Sequence, residues 1–105
     1  ASPYNILYYR SASKVELIKF QLDHSLDSFD KAVAYLKKVE VLAPTDPKVR
    51  YSRGLFYSLL VESTTQKTLK RQYAQKSIEA LDEAMKLKPN YTEAEKLLEE
   101  MKGIK

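Results

Sequence analysis

Apolar residues recur every three or four positions from Tyr4 to Leu22, and Tyr8, Ala12, Val15, Ile18 and Leu22 fall on one stripe. That period predicts an amphipathic helix, with the stripe as the face to be buried. A second stripe follows: Phe29, Ala32, Val33, Leu36, Val39 and Ala43. The intervening "DHSLDS" is polar and rich in residues that cap helices. The third segment, "VRYSRGLFYSLLV", is apolar on most faces, as a helix packed on several sides would be. A fourth carries Tyr73, Ser77, Leu81 and Ala84, flanked by Ala74, Ile78 and Met85. A fifth carries Ala94, Leu97, Leu98 and Met101. No segment alternates with period two. The fold class this predicts is all-α, with about five helices.

The breaks between segments have local causes. In "KVEVLAPTDPKVRYSRG" (residues 38–54), Pro44 cannot continue the preceding helix and biases Ala43 away from the α region. Asp46 is a good N-cap, and Pro47 suits the first helical position, where its missing N–H costs nothing. The stretch is therefore a tight helix-to-helix turn. The chain repeats it at "AMKLKPNYTEAE": Pro89 ends one helix, Asn90 is expected to cap the next, and Glu93 completes a capping box. Turns are expected near residues 23–28, 44–46, 62–66 and 88–90.

The lead-ins to the two prolines also match, "DKAVAYLKKVEVLAP" against "QKSIEALDEAMKLKP". Ala32, Leu36 and Val39 share their spacing with Ser77, Leu81 and Ala84. This internal repeat resembles the tetratricopeptide repeat (TPR) family, whose unit is a pair of antiparallel helices. "YSRGLFY" is similar to the family's first helix, with Gly54 at its close-packing position. "PNYTEAEKLLEEM" looks like the extra helix that covers a last repeat. The family's period is 34 residues, whereas Pro44 and Pro89 lie 45 apart. The 11 extra residues amount to about three α-helical turns, so both arms of a hairpin lengthen while the stripe keeps its phase. "YYRSASKVELIK" aligns with "YSRGLFYSLLVE", pairing Arg10 with Arg53 and Ser11 with Gly54. The resemblance implies a TPR-like α-α superhelix in one domain: a first hairpin over 1–45, a second over 46–89 and a capping helix over 90–105.

Composition narrows the function. The chain has 105 residues, 18 basic and 14 acidic, for a net charge of +4 with both signs interspersed. That is a mild bias toward acidic partners and falls short of a nucleic-acid signature. The run "KTLKRQYAQK" (Lys67, Lys70, Arg71, Lys76) is a basic stretch that offers contacts to phosphate or anionic lipid, against the plainer reading as the exposed face of a long helix. No run approaches the roughly 20 apolar residues of a membrane span. Cysteine is absent. With His24 as the single histidine, a zinc site has no ligand set. There is no phosphate-binding glycine loop and no nucleophile elbow. The glutamates at 93, 95, 99 and 100 alternate with lysines at helical offsets, as on a solvated face. The expectation is a non-enzymatic chain with no cofactor and no metal.

The resemblance implies binding of a protein or peptide partner on a concave face lined by first helices. One family submode clamps a partner's terminal carboxylate with lysines and asparagines. Here the matching positions hold Tyr8, Tyr9, Ala12, Tyr51, Ser52 and Leu55, so no carboxylate-clamp signature is present. The candidate partner-binding residues are Tyr8, Tyr9, Lys48, Tyr51 and Leu55, because tyrosine is apolar in body and polar at its tip. The competing reading has these tyrosines filling space between long hairpins.

A second function stays open. The chain is similar to TPR tails carried by some bacterial membrane glycan-assembly proteins, which implies a structural appendage with an assembly or dimerisation role. Such a domain sits in the cytoplasm or on the surface of a membrane-associated complex. Two repeats are also fewer than the three or more such arrays use. Leu55, Phe56, Leu59 and Leu60 would then form an exposed patch on the third helix, and a homodimer is one way to cover it.

Overall fold

The computed structural model describes residues 3–104, and the side chains among them from Asn5 onward. The expectation of helix at Ala1 and Ser2, and the apolar role of Tyr4, lie outside these. Five helices follow in order: α1 (Pro3–Asp23), α2 (Leu26–Leu42), α3 (Pro47–Ser63), α4 (Lys67–Leu87) and α5 (Thr92–Lys102). No strand occurs among the described residues. The all-α class with about five helices is thus observed, and helix breaks fall within or beside all four expected turns. The chain forms two compact units, residues 1–45 and 46–105.

In the first unit α1 packs against α2. No glycine or proline separates them, so the polar "DHS" makes the turn. His24 adopts φ 58°. Its N–H donates to the Phe20 carbonyl at 2.7 Å, which closes α1 with a left-handed cap. The Asp23 carboxylate accepts from the Ser25 N–H at 2.9 Å. The Ser25 hydroxyl in turn accepts from the Ser28 N–H at 3.4 Å as the N-cap of α2. His24 is therefore an exposed turn residue with a structural task. Phe20 and Phe29 meet edge-to-face at 5.3 Å beside this turn. Further along, the buried Ser13 hydroxyl donates to the Ala32 carbonyl at 2.8 Å.

The α1 stripe faces the other way from the expectation. Tyr8 is 61% exposed and Leu22 80%, and Val15 and Ile18 are more than half exposed. The buried positions of α1 are Ser13 and Phe20, with Ile6, Tyr9 and Leu17 half-buried. At 3.6 residues per turn these lie on the opposite side of the helix from Val15 and Ile18. α1 carries two apolar seams, and α2 covers the less conspicuous one.

In the second unit α3 packs against α4, and α5 packs against both. Asp46 caps α3 as expected, its carboxylate accepting from the Lys48 N–H at 2.9 Å, with Pro47 in the first turn. Such a cap contributes about 1 kcal/mol. Ala43 sits at φ −135°, outside the helical region, as a residue before proline should. Between α3 and α4 the helix breaks at residues 64–66, which gives the second hairpin. The α5 cap differs from the expectation. Tyr91, not Asn90, occupies the N-cap position, and no side chain bonds to the first-turn amides there. Tyr91 is buried, and its packing fixes the entry of α5 in place of a polar cap.

Gly54 and Ser77 mark the closest approach of α3 and α4. The fully buried Ser77 hydroxyl donates to the Gly54 carbonyl at 2.7 Å. Each buried serine bond of this kind contributes about 1 kcal/mol. In the first unit the equivalent crossing is Ser13 with Ala32. The alignment of Ser11 with Gly54 is therefore two residues out of register, and Ser11 is exposed. The crossings span 19 residues in the first hairpin and 23 in the second, about one helical turn of difference.

The patch expected on α3 is not there. Phe56 and Leu60 are buried, Leu59 is half-buried, and Leu55 is 37% exposed. The longest run of uncovered apolar side chains is on α1, while Leu26 and Val41 of α2 are exposed singly.

Candidate interaction surfaces

The five candidate partner-binding residues fall into two sets, one in each unit. In the first unit Tyr8 and Tyr9, adjacent on α1, meet Tyr35 of α2. Ring centroids are 5.4 Å apart for Tyr8–Tyr9 and 6.5 Å for Tyr8–Tyr35, both edge-to-face. Tyr9 stacks on Tyr35 at 6.2 Å. The Lys38 ammonium sits 5.1 Å from the Tyr9 ring centre, a cation–π contact from the outer face of α2. Tyr9 and Tyr35 are half-buried and join the two helices, while Tyr8 stands out from them with most of its ring in solvent. The tyrosines thus divide the two roles foreseen for them: Tyr9 fills space, and Tyr8 is free to touch something else.

In the second unit Tyr51 of α3 lies against Tyr91 at 5.2 Å, in a tilted arrangement. Lys88 covers the Tyr91 ring at 4.7 Å. Tyr51 keeps part of its surface exposed, and Lys48, one turn earlier, is exposed beside it. Leu55 is four residues further on α3, so Lys48, Tyr51 and Leu55 follow one side of the helix at spacings of three and four. The sequence missed Tyr35 and Tyr91, which position the candidate rings. No spacing in the sequence singles them out; they join the set only through packing with residues distant in the chain.

Charge is organised differently on the other side of α3. Arg50 and Arg53 both reach Glu83 of α4, at 3.4 Å (Nε to Oε1) and 2.9 Å (Nη2 to Oε2). Arg53, expected to mirror Arg10, thus ties α3 to α4. The basic run at the start of α4 lies along solvent-facing turns, with Lys67, Arg71 and Lys76 exposed. Lys76 is also drawn toward the Tyr57 ring, at 5.8 Å. Glu95, Glu99 and Glu100 of α5 line an open depression with Thr92 and Lys96 on its outer face. Among the described residues no three His, Cys, Asp or Glu side chains gather as a metal site. No helix among them is long and apolar enough to cross a membrane.

Burial pushes the Tyr91 phenol above its usual value near 10, and Glu93, Tyr51 and Asp46 add to the effect. The folded chain thus holds this proton more tightly than the unfolded chain does. The associated stability is fully present below pH ~10 and is lost as pH rises through the raised folded value. We expect urea midpoints to fall on the alkaline side, and Tyr91→Phe to make that fall shallower. An equal alkaline fall in the variant would place the sensitivity on another group.

No family model matches this chain, and neither a curated protein nor a solved structure matches it.

Proposed function

We propose that the chain is a non-enzymatic protein–protein interaction module built from two elongated TPR-like hairpins and a capping helix, and that the first helix of each hairpin binds a partner protein. The observation that carries this reading is the partly exposed tyrosine on each first helix, Tyr8 on α1 and Tyr51 on α3, each seated on a second ring with a lysine close by. A ring held on a second ring has little freedom left to lose on binding, which is what an interface anchor needs. The lysines Lys38, Lys48 and Lys88 favour a partner segment that combines apolar or aromatic anchors with carboxylates.

The test takes a partner isolated by pull-down and measures its affinity for single variants. Tyr8→Ala and Tyr51→Ala are each expected to weaken binding about tenfold or more, which corresponds to ~1.4 kcal/mol. Helicity should not change. Lys67→Ala, on the solvent face of α4, is the control that should bind as the parent does. Unchanged affinity in both tyrosine variants would rule out the first helices as the binding face. A second reading, a structural appendage with an assembly role, is favoured by one observation: the apolar outer seam of α1.

A further inference from the structure

We infer that the outer seam of α1 is a self-association surface, and that its occupant is the same seam of a second copy of this chain, running antiparallel. The proposal develops the assembly reading and centres on Val15, Ile18 and Leu22; it shares only Tyr8, at the end of the seam, with the tyrosine anchors, and its variants at 15 and 18 leave that ring in place, so either proposal can fail alone.

The spacing comes first. Tyr8, Ser11, Val15, Ile18 and Leu22 are separated by three, four, three and four residues, the seam of a paired helix over two heptads. α2 leaves this seam open: Tyr8, Val15, Ile18 and Leu22 are each more than half exposed, as is Leu7 at its edge. At these exposures the five large side chains present on the order of 500 Å² in one strip, near the upper end for a single apolar patch on a monomer. Two such strips face to face bury about 1,000 Å², the size at which a specific interface becomes credible.

Charge then selects the occupant and its direction. Lys14 and Lys19 flank the seam on opposite sides. In a parallel pair, each Lys14 would lie against the partner's Lys19, a like-charge contact on both flanks. In an antiparallel pair centred between Val15 and Ile18, Lys14 meets the partner's Gln21 and Lys19 meets the partner's Ala12. The same register sets Val15 beside the partner's Ile18 and places the large Leu22 over the small Ser11. Both copies use one patch related by a two-fold axis, the commonest closed arrangement.

The test uses the full chain in light scattering over a wide concentration range. The mass should rise from 12.1 kDa toward twice that value. Val15→Glu with Ile18→Glu should hold it at the monomer mass with helicity unchanged, because neither side chain is packed against α2. The chain has no cysteine, so engineered thiols report cleanly. Val15→Cys mixed with Ile18→Cys should oxidise to a mixed disulfide dimer in preference to either variant alone. A constant mass up to millimolar concentration would overturn the proposal. So would Val15→Cys linking to itself as readily as to Ile18→Cys, which indicates a parallel pair. Sedimentation of the monomer with anionic phospholipid vesicles, lost in the double glutamate variant, would overturn it in favour of a lipid surface.

Discussion

Gly54→Leu is expected to lower stability by roughly 1–3 kcal/mol or more, read as a clear drop in the thermal midpoint. Two effects oppose each other at this position. A glycine inside a helix normally weakens it by about 0.5–1 kcal/mol relative to alanine, so filling it should help. The site has no room for the gain. A Cβ on Gly54 would meet Leu81 Cγ and Cδ2 at 2.7 Å and the Ser77 carbonyl oxygen at 3.3 Å. Leu81 is fully buried and has nowhere to retreat. The Ser77 oxygen belongs to the α4 backbone, so relief requires the helices to separate. Separation also breaks the bond from the Ser77 hydroxyl to the Gly54 carbonyl. Packing therefore outweighs propensity. A midpoint equal to that of the parent would mean that α3 and α4 do not cross here.

Leu81→Ala is expected to cost about 2–5 kcal/mol, through lost burial and the cavity left at the same crossing. Leu81 belongs to the core that joins Val61 of α3, Ala84 of α4, and Tyr91, Leu98 and Met101 at and in α5. The loss is thus shared by all three helices of the unit. The sharper test is the combination. The atoms that an added Cβ at 54 would strike are the ones that alanine at 81 removes. Gly54→Ala combined with Leu81→Ala should therefore be less destabilising than the two single changes summed, with a coupling of about 0.5–3 kcal/mol. Strict additivity in urea denaturation would show that the two positions are not neighbours.

The helix count and breaks could be read from the chain because their causes are local. Pro44 and Pro89 stop helices wherever they occur, and Asp46–Pro47 starts one, whatever lies across from it. The resemblance to the TPR repeat marks Gly54 as a close-packing position, while its pairing with Ser77 comes from the helix crossing. At Asn90 the same local logic pointed to the wrong cap. Burial of Tyr91 in the core positions that turn more strongly than a side-chain cap could.

Tertiary packing decided which face of α1 is covered. Periodicity reports that apolar residues share a side of a helix, but it cannot say which of two seams a neighbour will choose. The conspicuous seam of Val15, Ile18 and Leu22 is regular and large. The one α2 covers is built around Ser13 and Phe20, and its value lies in fit: a serine small enough for close approach that donates to the Ala32 carbonyl, and a ring that meets Phe29. Hydropathy does not score a hydrogen bond across a crossing, so Ser13 gives no signal in the chain, and the alignment with Gly54 falls on Ser11 instead. Likewise the burial of Phe56 and Leu60, and the seating of Tyr8 and Tyr51 on second rings, depend on residues far away in sequence. The sequence by itself determined where the helices are; the fit between their surfaces determined which apolar side chains remain exposed to meet a partner.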